Sequence, residues 1–286
     1  MTTTAEERVP IARLRAGSPI AGVFACTRKD RMTARTGTSY LALELRDRSG
    51  AIPARVFRDA DLQAGRFDRG DLVRVTGRVE RFREELQLEV RAIARADDAD
   101  PAAFLPVAYR DLDELDGFLE HLAGEVRDPV FAALLADLLN DPAIRAALRR
   151  TPCTRNGHHA YLGGLLEHTV AVTTLALETC VLHPRLDQDL LLTAAIVHDL
   201  GKSREFVLAA EIGLTEEGRL LGHIELGLRL LDERPTVLEK ARRLALAHCI
   251  LAHHGERKPA TPEALALYRL NALDAAVKGA LEHGLP

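Results

Sequence analysis

Histidines are concentrated in one part of this chain, beside an aspartate that follows an apolar segment. Nine of the 11 histidines fall between His158 and His254. The stretch AAIVHDLGK places His198 and Asp199 directly after four apolar residues, at the inner end of a predicted core helix. Ionisable groups are costly there unless something satisfies them, and a metal ion is one such partner. The pair alone also occurs by chance, as a capped helix end with a solvated aspartate.

Further histidines stand at other predicted helix ends. His168 follows two glycines in GGLLEHTVAV, His223 opens GHIELG, and His253 with His254 ends CILAHH. Imidazole and carboxylate together suit divalent cations such as Mn²⁺, Zn²⁺ or Fe²⁺. An aspartate next to a histidine can bridge two such ions, which clamp a phosphoryl group and activate a water. We therefore predict a metal site that contains His168, His198, Asp199, His223 and one of His253 and His254.

The elements that must position these residues are helical. From about Tyr109 onward, apolar residues recur at three- and four-residue spacing. The first ninety-odd residues instead alternate as five strands, with a short helix between the third and the fourth, which is the plan of an OB-fold barrel. We predict a multidomain α and β chain: an OB-fold over 1–96, a linker over 97–108 and an all-α domain over 109–286.

Composition bounds the class of protein. Of the 286 residues, 47% are hydrophobic and 28% are charged, which excludes a disordered or fibrous chain. The four cysteines are scattered without a CxxC pair, so we predict reduced thiols in a cytoplasmic protein. No apolar run approaches the roughly 18 residues of a membrane span, and the N-terminus lacks a signal-peptide core. We therefore predict no membrane partner.

Charge is unevenly distributed and favours a polyanion-binding first domain. Residues 1–96 hold 19 basic and 13 acidic side chains, whereas the remainder holds 19 and 29. In the second predicted strand, alternation buries Leu41, Leu43 and Leu45. The residues between and beside them then face outward, namely Tyr40, Ala42, Glu44 and Arg46. In the third strand, Arg55 and Phe57 face the same outer side. Single-stranded nucleic acid lies on that face of OB-folds. The predicted nucleic-acid-binding residues are Arg28, Lys29, Arg31, Arg35, Tyr40, Arg55, Phe57, Arg81, Phe82 and Arg83. The alternative is that the arginines are merely solvated and that Phe57 and Phe82 fill the barrel.

The ordered series H…HD…H…HH resembles the HD-domain phosphohydrolases. The segments HHAYLGGLLEHT, HDLGK, GHI, ILAHHG and EALALYRLNALDA, with the leading OB-fold, resemble the YhaM-type 3′-to-5′ exoribonucleases from about Ile11 to Ala275. The resemblance implies that His168, His198 and Asp199 bind metal and that His223, His253 and His254 complete a second position. It implies that Lys202 contacts substrate phosphate and that His158 and His159 lie near the scissile phosphate. From the residues alone, His158 and His159 could simply cap a helix.

The resemblance implies a function for both domains. The OB-fold would hold single-stranded RNA, or single-stranded DNA, and the metal site would release nucleoside monophosphates from the 3′ end. Two divalent ions are expected, Mn²⁺ first, with Mg²⁺, Fe²⁺, Co²⁺ or Zn²⁺ as alternatives, and the chain could form a homo-oligomer.

One position departs from the family pattern. HD proteins end their motif with an aspartate ligand in A-D-x-L-D-A, whereas this chain reads RLNALDA, so that Asn271 stands at the ligand position and Asp274 at the later one. An amide oxygen is a neutral, weaker ligand for a hard cation. Two alternatives follow: a nucleic-acid-binding protein with a degenerate HD scaffold, or a small-nucleotide phosphohydrolase whose OB-fold serves assembly.

Overall fold

The computed structural model describes residues 9–284; residues 1–8 and 285–286, which the predicted domains 1–96 and 109–286 include, lie outside the described part. The chain divides into two compact units. The first is Met1–Pro106 with Leu208–Gly213, and the second is Val107–Val207 with Leu214–Pro286. Each unit has a hydrophobic core of its own.

The first unit contains a closed five-stranded barrel. Its strands are β1 (Pro19–Thr33), β2 (Ser39–Asp47), β3 (Gly50–Val56), β4 (Leu72–Phe82) and β5 (Glu85–Arg95), and the short helix α1 (Ala60–Ala64) lies between β3 and β4 in the chain. Their order is β1-β2-β3-β5-β4, with β1 also paired to β4. The β3–β5 pair is parallel and the others are antiparallel. This arrangement confirms the predicted OB-fold.

Alternation along β2 and β3 fills the barrel core. Leu41, Leu43 and Leu45 are buried, as are Ile52, Ala54 and Val56. Ala42 was predicted to face outward but is only 7% exposed. It pairs with Asp30 on β1 and Arg55 on β3, so its small side chain stands between two longer ones on the same face of the sheet.

The segment predicted as a linker differs from that expectation, because its first ten residues belong to the barrel unit. Phe104 and Leu105 are buried, and Phe104 packs in a small cluster with Leu72 and Ala96. Asp98 accepts hydrogen bonds from Arg74 of β4 at 2.9 and 3.0 Å. Aspartate and proline in this stretch suggested a free connection, but the apolar residues between them pack against the barrel.

The second unit is helical apart from residues of one short strand pair. Its helices are α2 (Leu112–Ala123), α3 (Pro129–Leu139), α4 (Pro142–Arg150), α5 (Gly164–Leu182), α6 (Gln188–Val197), α7 (Lys202–Glu205), α8 (Glu216–Asp232), α9 (Lys240–Ala252) and α10 (Pro262–His283). The strands are β6 (Phe206–Leu208) and β7 (Ile212–Leu214), of which Leu208, Ile212 and Gly213 are counted in the first unit. Six helices begin at a side chain that accepts a backbone N–H, namely Asp111, Asp128, Asp141, Asp187, Thr215 and Thr261. These caps satisfy N–H groups that have no partner within the helix.

Helix α5 is the central helix of this unit and contacts α2, α4, α6 and α10. Within residues 9–284 it is the one helix that is long and apolar enough to cross a membrane, with a mean hydropathy of 1.4 over its best window. It is not an uninterrupted apolar run, because Glu167 and His168 lie within its first turns. Both of these residues are buried inside the unit, so this length and composition are also those of a core helix.

Candidate functional site

Asp199 stands at the centre of four imidazoles. Its Oδ2 atom lies 3.5 Å from Nε2 of His168 and 3.4 Å from Nε2 of His198. Its Oδ1 atom lies 3.4 Å from Nε2 of His223 and 3.5 Å from Nε2 of His253. Each carboxylate oxygen therefore faces two imidazole nitrogens, and this donor set can hold a divalent cation.

The residues present fit divalent cations, because two buried polar atoms of the cluster have no hydrogen-bond partner. These atoms are Oδ1 of Asp199 and Nε2 of His253. The opposite ring nitrogens are engaged: Nδ1 of His253 donates to the carbonyl oxygen of Ile250 at 2.5 Å, and Nδ1 of His198 donates to that of Ala195 at 2.8 Å. A proton held on Nδ1 leaves the Nε2 lone pair available to a metal ion.

The local sequence explains how these residues meet. Helix α6 ends at Val197, and His198 and Asp199 follow in the turn that leads to α7. A Cβ atom on Gly201 would lie 1.9 Å from the backbone oxygen of His223. Only glycine permits this approach. The glycine of HDLGK thus lets His223, which follows a kink in α8 at Gly222, reach Asp199.

Lys202 and Asp199 form a buried ion pair. The Nζ atom of Lys202 lies 2.6 Å from Oδ2 of Asp199 and 3.4 Å from Sγ of Cys153. Burial acts to raise the pKa of Asp199, but the charge of Lys202 and the contacts of His198 hold it well below its usual range. Burial acts to lower the pKa of Lys202, and Asp199 nonetheless raises it above its usual value. Asp199 is therefore ionised at neutral pH, as a metal ligand requires.

Burial keeps several site histidines neutral. It lowers the pKa of His168 and of His253. It lowers the pKa of His158 to about 4 and that of His254 to about 3, with neighbouring imidazoles acting in the same direction. Neutral imidazoles offer lone pairs to metal ions, so this electrostatic environment favours cation binding.

A cavity of about 480 Å³ opens beside this cluster and is large enough for a nucleotide. Its walls include Lys202, His158 and Arg155, so two positively charged side chains line it. The remaining lining residues are Cys153, Thr154, Glu205, Phe206, Leu214, His223, His253, His254, Tyr268, Asn271, Ala272 and Ala275.

Three further predicted site residues lie close to this cluster, and His254 forms a candidate metal-binding group with Asp199, His223 and His253. His254 is exposed, and its Nε2 lies 3.0 Å from Nε2 of His223. Asn271 lines the cavity, and its amide donates to the backbone oxygen of His253 at 3.2 Å. His159 is 1% exposed and does not line the cavity, because its ring nitrogens contact Tyr161 and Asp274 instead.

Two carboxylates without a predicted role support the cluster. Asp274 Oδ2 lies 2.6 Å from Nδ1 of His168, and burial, which acts to raise its pKa, is outweighed by His159 and His168, which lower it. Glu205 Oε1 accepts from the backbone N–H of His223 and lies 3.4 Å from its Nδ1. Asp274 follows Asn271 by one helical turn and therefore lies on the same face of the helix. This spacing is the feature of the sequence that could have indicated its place near the cluster. Nothing local marked Glu205.

Aromatic side chains lie on the outer face of the barrel. The rings of Tyr40 and Phe57 are 5.4 Å apart, and the guanidinium of Arg55 lies 5.9 Å from the Tyr40 ring centre. Phe57 is 47% and Phe82 57% exposed, so neither fills the barrel, whose core instead contains Phe24 and other apolar residues. These exposed rings are available for base stacking.

Lys29 differs from the other predicted cations of this face, because its ammonium is engaged. It donates to the backbone oxygens of Ala64, at 2.8 Å, and Phe67, and it contacts Asp68 at 3.2 Å. Its side chain is only 16% exposed. Lys29 therefore stabilises the end of α1 and is not free to bind a phosphate.

The other cations lie nearer the surface. Arg28, Arg31 and Arg81 form ion pairs with Asp30, Asp61 and Glu84 at 2.5, 2.5 and 3.3 Å. Arg83 packs over the Phe82 ring at 5.3 Å, and Arg35 is exposed. Exposed ion pairs of this kind are weak and can exchange for phosphate contacts.

Known proteins match both parts of the chain. Residues 165–276 match the HD domain, and residues 25–94 match the OB-fold nucleic acid binding domain. The 3′-5′ exoribonuclease YhaM of Bacillus velezensis is 30% identical over 253 residues, which cover 85% of this chain and 80% of that protein. YhaM of Bacillus subtilis is 29% identical with the same coverage. YhaM of Halalkalibacterium halodurans is 27% identical over 270 residues, which cover 91% of this chain and 84% of that protein.

Proposed function

This chain belongs to the YhaM family of 3′-5′ exoribonucleases, and from that membership we propose that it shortens single-stranded RNA from the 3′ end and releases nucleoside monophosphates. The observation that carries the proposal is the bridging position of Asp199 among four imidazoles, with a buried oxygen that lacks a hydrogen-bond partner. Such a donor set is that of a phosphohydrolase metal centre.

Two metal positions are proposed from the two oxygens of Asp199. His168 and His198 would hold the first ion, and His223 with His253 and His254 the second. Mn²⁺ is the first candidate, because mixed imidazole and carboxylate ligands suit it. Bound divalent ions would supply Lewis-acid stabilisation of the phosphate and an activated water.

The chain's own cations and histidines would bind and orient the substrate. Lys202 and Arg155 line the cavity and would neutralise the charge of the entering phosphodiester. His158 also lines the cavity, and burial lowers its pKa to about 4, so at neutral pH it would contact the substrate as a neutral imidazole. Asn271 would act mainly by fixing the end of α9, since its amide donates to His253.

The barrel would bind the strand without reading its sequence. Tyr40 and Phe57 offer stacking surfaces, and Arg55 lies beside them. Stacking needs no 2′-hydroxyl, so single-stranded DNA is a second candidate ligand for the same face. Buried thiols at all four cysteines support the proposal of a reducing, cytoplasmic compartment.

Degradation of a 5′-labelled single-stranded RNA tests the proposal. The assay compares Mn²⁺, Mg²⁺ and a chelator, with Asp199→Ala as the control and a DNA of the same sequence alongside. The expected result is a ladder that shortens from the 3′ end only with metal and is lost in the variant. Intact RNA under every metal, with RNA binding retained, would overturn the proposal in favour of a degenerate HD scaffold.

A further inference from the structure

A hydrogen-bonded chain of side chains begins behind the metal-facing side of His168. While Nε2 of His168 faces Asp199, its Nδ1 lies 2.6 Å from Oδ2 of Asp274. The same oxygen lies 3.0 Å from Nε2 of His159. One carboxylate oxygen is thus within hydrogen-bond distance of both rings, and this group forms a hydrogen-bonded support behind His168.

The series of hydrogen bonds continues away from the cavity. Nδ1 of His159 lies 2.8 Å from the hydroxyl oxygen of Tyr161, and that hydroxyl donates to Oε2 of Glu167 at 2.8 Å. Oε1 of Glu167 accepts from Nζ of Lys278 at 2.9 Å. Burial and the Glu167 carboxylate raise the pKa of Tyr161, which keeps its hydroxyl protonated as the donor. A continuous path thus runs from Lys278 to a predicted metal ligand.

One face of α10 supplies three members of this assembly at four-residue intervals. Asp274 and Lys278 contact the chain as described, and Glu282 Oε2 accepts from the backbone N–H of His159 at 3.0 Å. Residues four apart lie on the same side of a helix. The alternation of negative, positive and negative charge therefore faces the segment that contains His159 and Tyr161.

The backbone at His159 is held in an uncommon conformation. Its φ is 52°, in the left-handed region that non-glycine residues seldom adopt. The carbonyl oxygen of His159 accepts from the N–H of Cys153 at 3.0 Å, and a Cβ atom on Gly164 would lie 2.1 Å from that oxygen. Strain of this kind persists only where the surroundings enforce it. The ring of His159 is thus fixed from its backbone as well as from both nitrogens.

We propose that Tyr161, Glu167 and Lys278 are positioning residues that act through His159 and Asp274 to hold the His168 ring with Nε2 toward the metal centre. None of the three lines the cavity, so none touches a substrate bound there. The inference rests on the proposed metal centre and adds to it the residues that set one ligand. Hydrogen-bond partners behind a metal ligand typically contribute 10–100-fold in metal affinity.

Tyr161→Phe removes one hydroxyl and interrupts this series of hydrogen bonds in its middle. We expect the dissociation constant for Mn²⁺, measured by calorimetry on the full-length metal-free protein, to rise about tenfold. Tyr109→Phe is the matched control, because Tyr109 is fully exposed, and its dissociation constant should equal that of the wild type. Thermal unfolding of both variants checks that they are folded at the temperature of the titration.

Lys278, at the far end of this series of hydrogen bonds, gives a second test that includes a conservative substitution. Lys278→Met should weaken Mn²⁺ binding severalfold, Lys278→Arg should restore it, and the exposed Lys258→Met should leave it unchanged. Wild-type affinity in folded Tyr161→Phe and Lys278→Met would overturn the positioning role while leaving the metal centre intact. Failure of the wild-type chain itself to bind Mn²⁺ would overturn the metal centre on which the inference rests.

Discussion

His253 Nε2 lies 3.5 Å from Asp199 Oδ1, and these two buried atoms have no hydrogen-bond partner. Burying unpartnered polar atoms costs roughly 1–3 kcal/mol each. A divalent cation bound by both atoms would remove this cost, so the fold places the cost on two members of the candidate metal-ligand cluster.

Metal binding should raise the thermal stability of the chain. A ligand at a hundredfold excess over its dissociation constant adds about 2.7 kcal/mol to the free energy of unfolding. Scanning calorimetry with and without Mn²⁺ should show a higher Tm with the metal, and His253→Gln should reduce the shift. An equal shift in Asp199→Ala would contradict a site at this cluster.

Restoring the family's aspartate at position 271 should not improve the site. In Asn271→Asp a carboxylate oxygen would replace the amide that donates to the backbone oxygen of His253. Loss of a buried hydrogen bond and the new oxygen–oxygen contact should lower the free energy of unfolding by about 1–3 kcal/mol. Urea denaturation and Mn²⁺ titration check this expectation. A variant that is as stable as the wild type and binds Mn²⁺ more tightly would show that position 271 is a direct ligand.

Acid should destabilise the metal-free protein in a defined window. In the folded state burial lowers the pKa of His158 to about 4 and that of His254 to about 3, below the ordinary value of 6.5. The unfolded chain therefore takes up protons first as the pH falls below about 6.5, and stability declines until the folded histidines titrate. Denaturation of the chelated protein between pH 7.5 and 4.5 should show this decline. His158→Gln should make it shallower, and an unchanged slope would contradict the contribution of His158.

RNA binding should depend on Tyr40 and not on Lys29. Tyr40→Ala removes a stacking surface worth roughly 1–3 kcal/mol, so the dissociation constant for a single-stranded RNA should rise about tenfold. Lys29→Met should leave that constant unchanged but lower the Tm, because Lys29 holds the carbonyl oxygens of Ala64 and Phe67. Fluorescence anisotropy measures the binding. The opposite pattern would place the strand along β1 beside Lys29.

The sequence alone determined the features that depend on local pattern. Alternation over β2 and β3 and the three- and four-residue spacing after Tyr109 predicted a barrel followed by helices, and both are present. Histidines at helix ends predicted the cluster around Asp199. These predictions succeed because strand and helix periodicity fix which side of an element a residue occupies.

Tertiary structure decided which partner each polar group has. Lys29 was predicted to bind nucleic acid from its basic neighbours, yet its acceptors lie 35 to 39 residues further along the chain. Asp274 reaches His168 across 106 residues and His159 across 115, and Asn271, one turn earlier on α10, donates to a backbone oxygen. Periodicity carries no information on which faces of distant elements meet. The ligand cluster could thus be predicted from sequence, whereas its supporting hydrogen bonds exist only because α10 packs against α5.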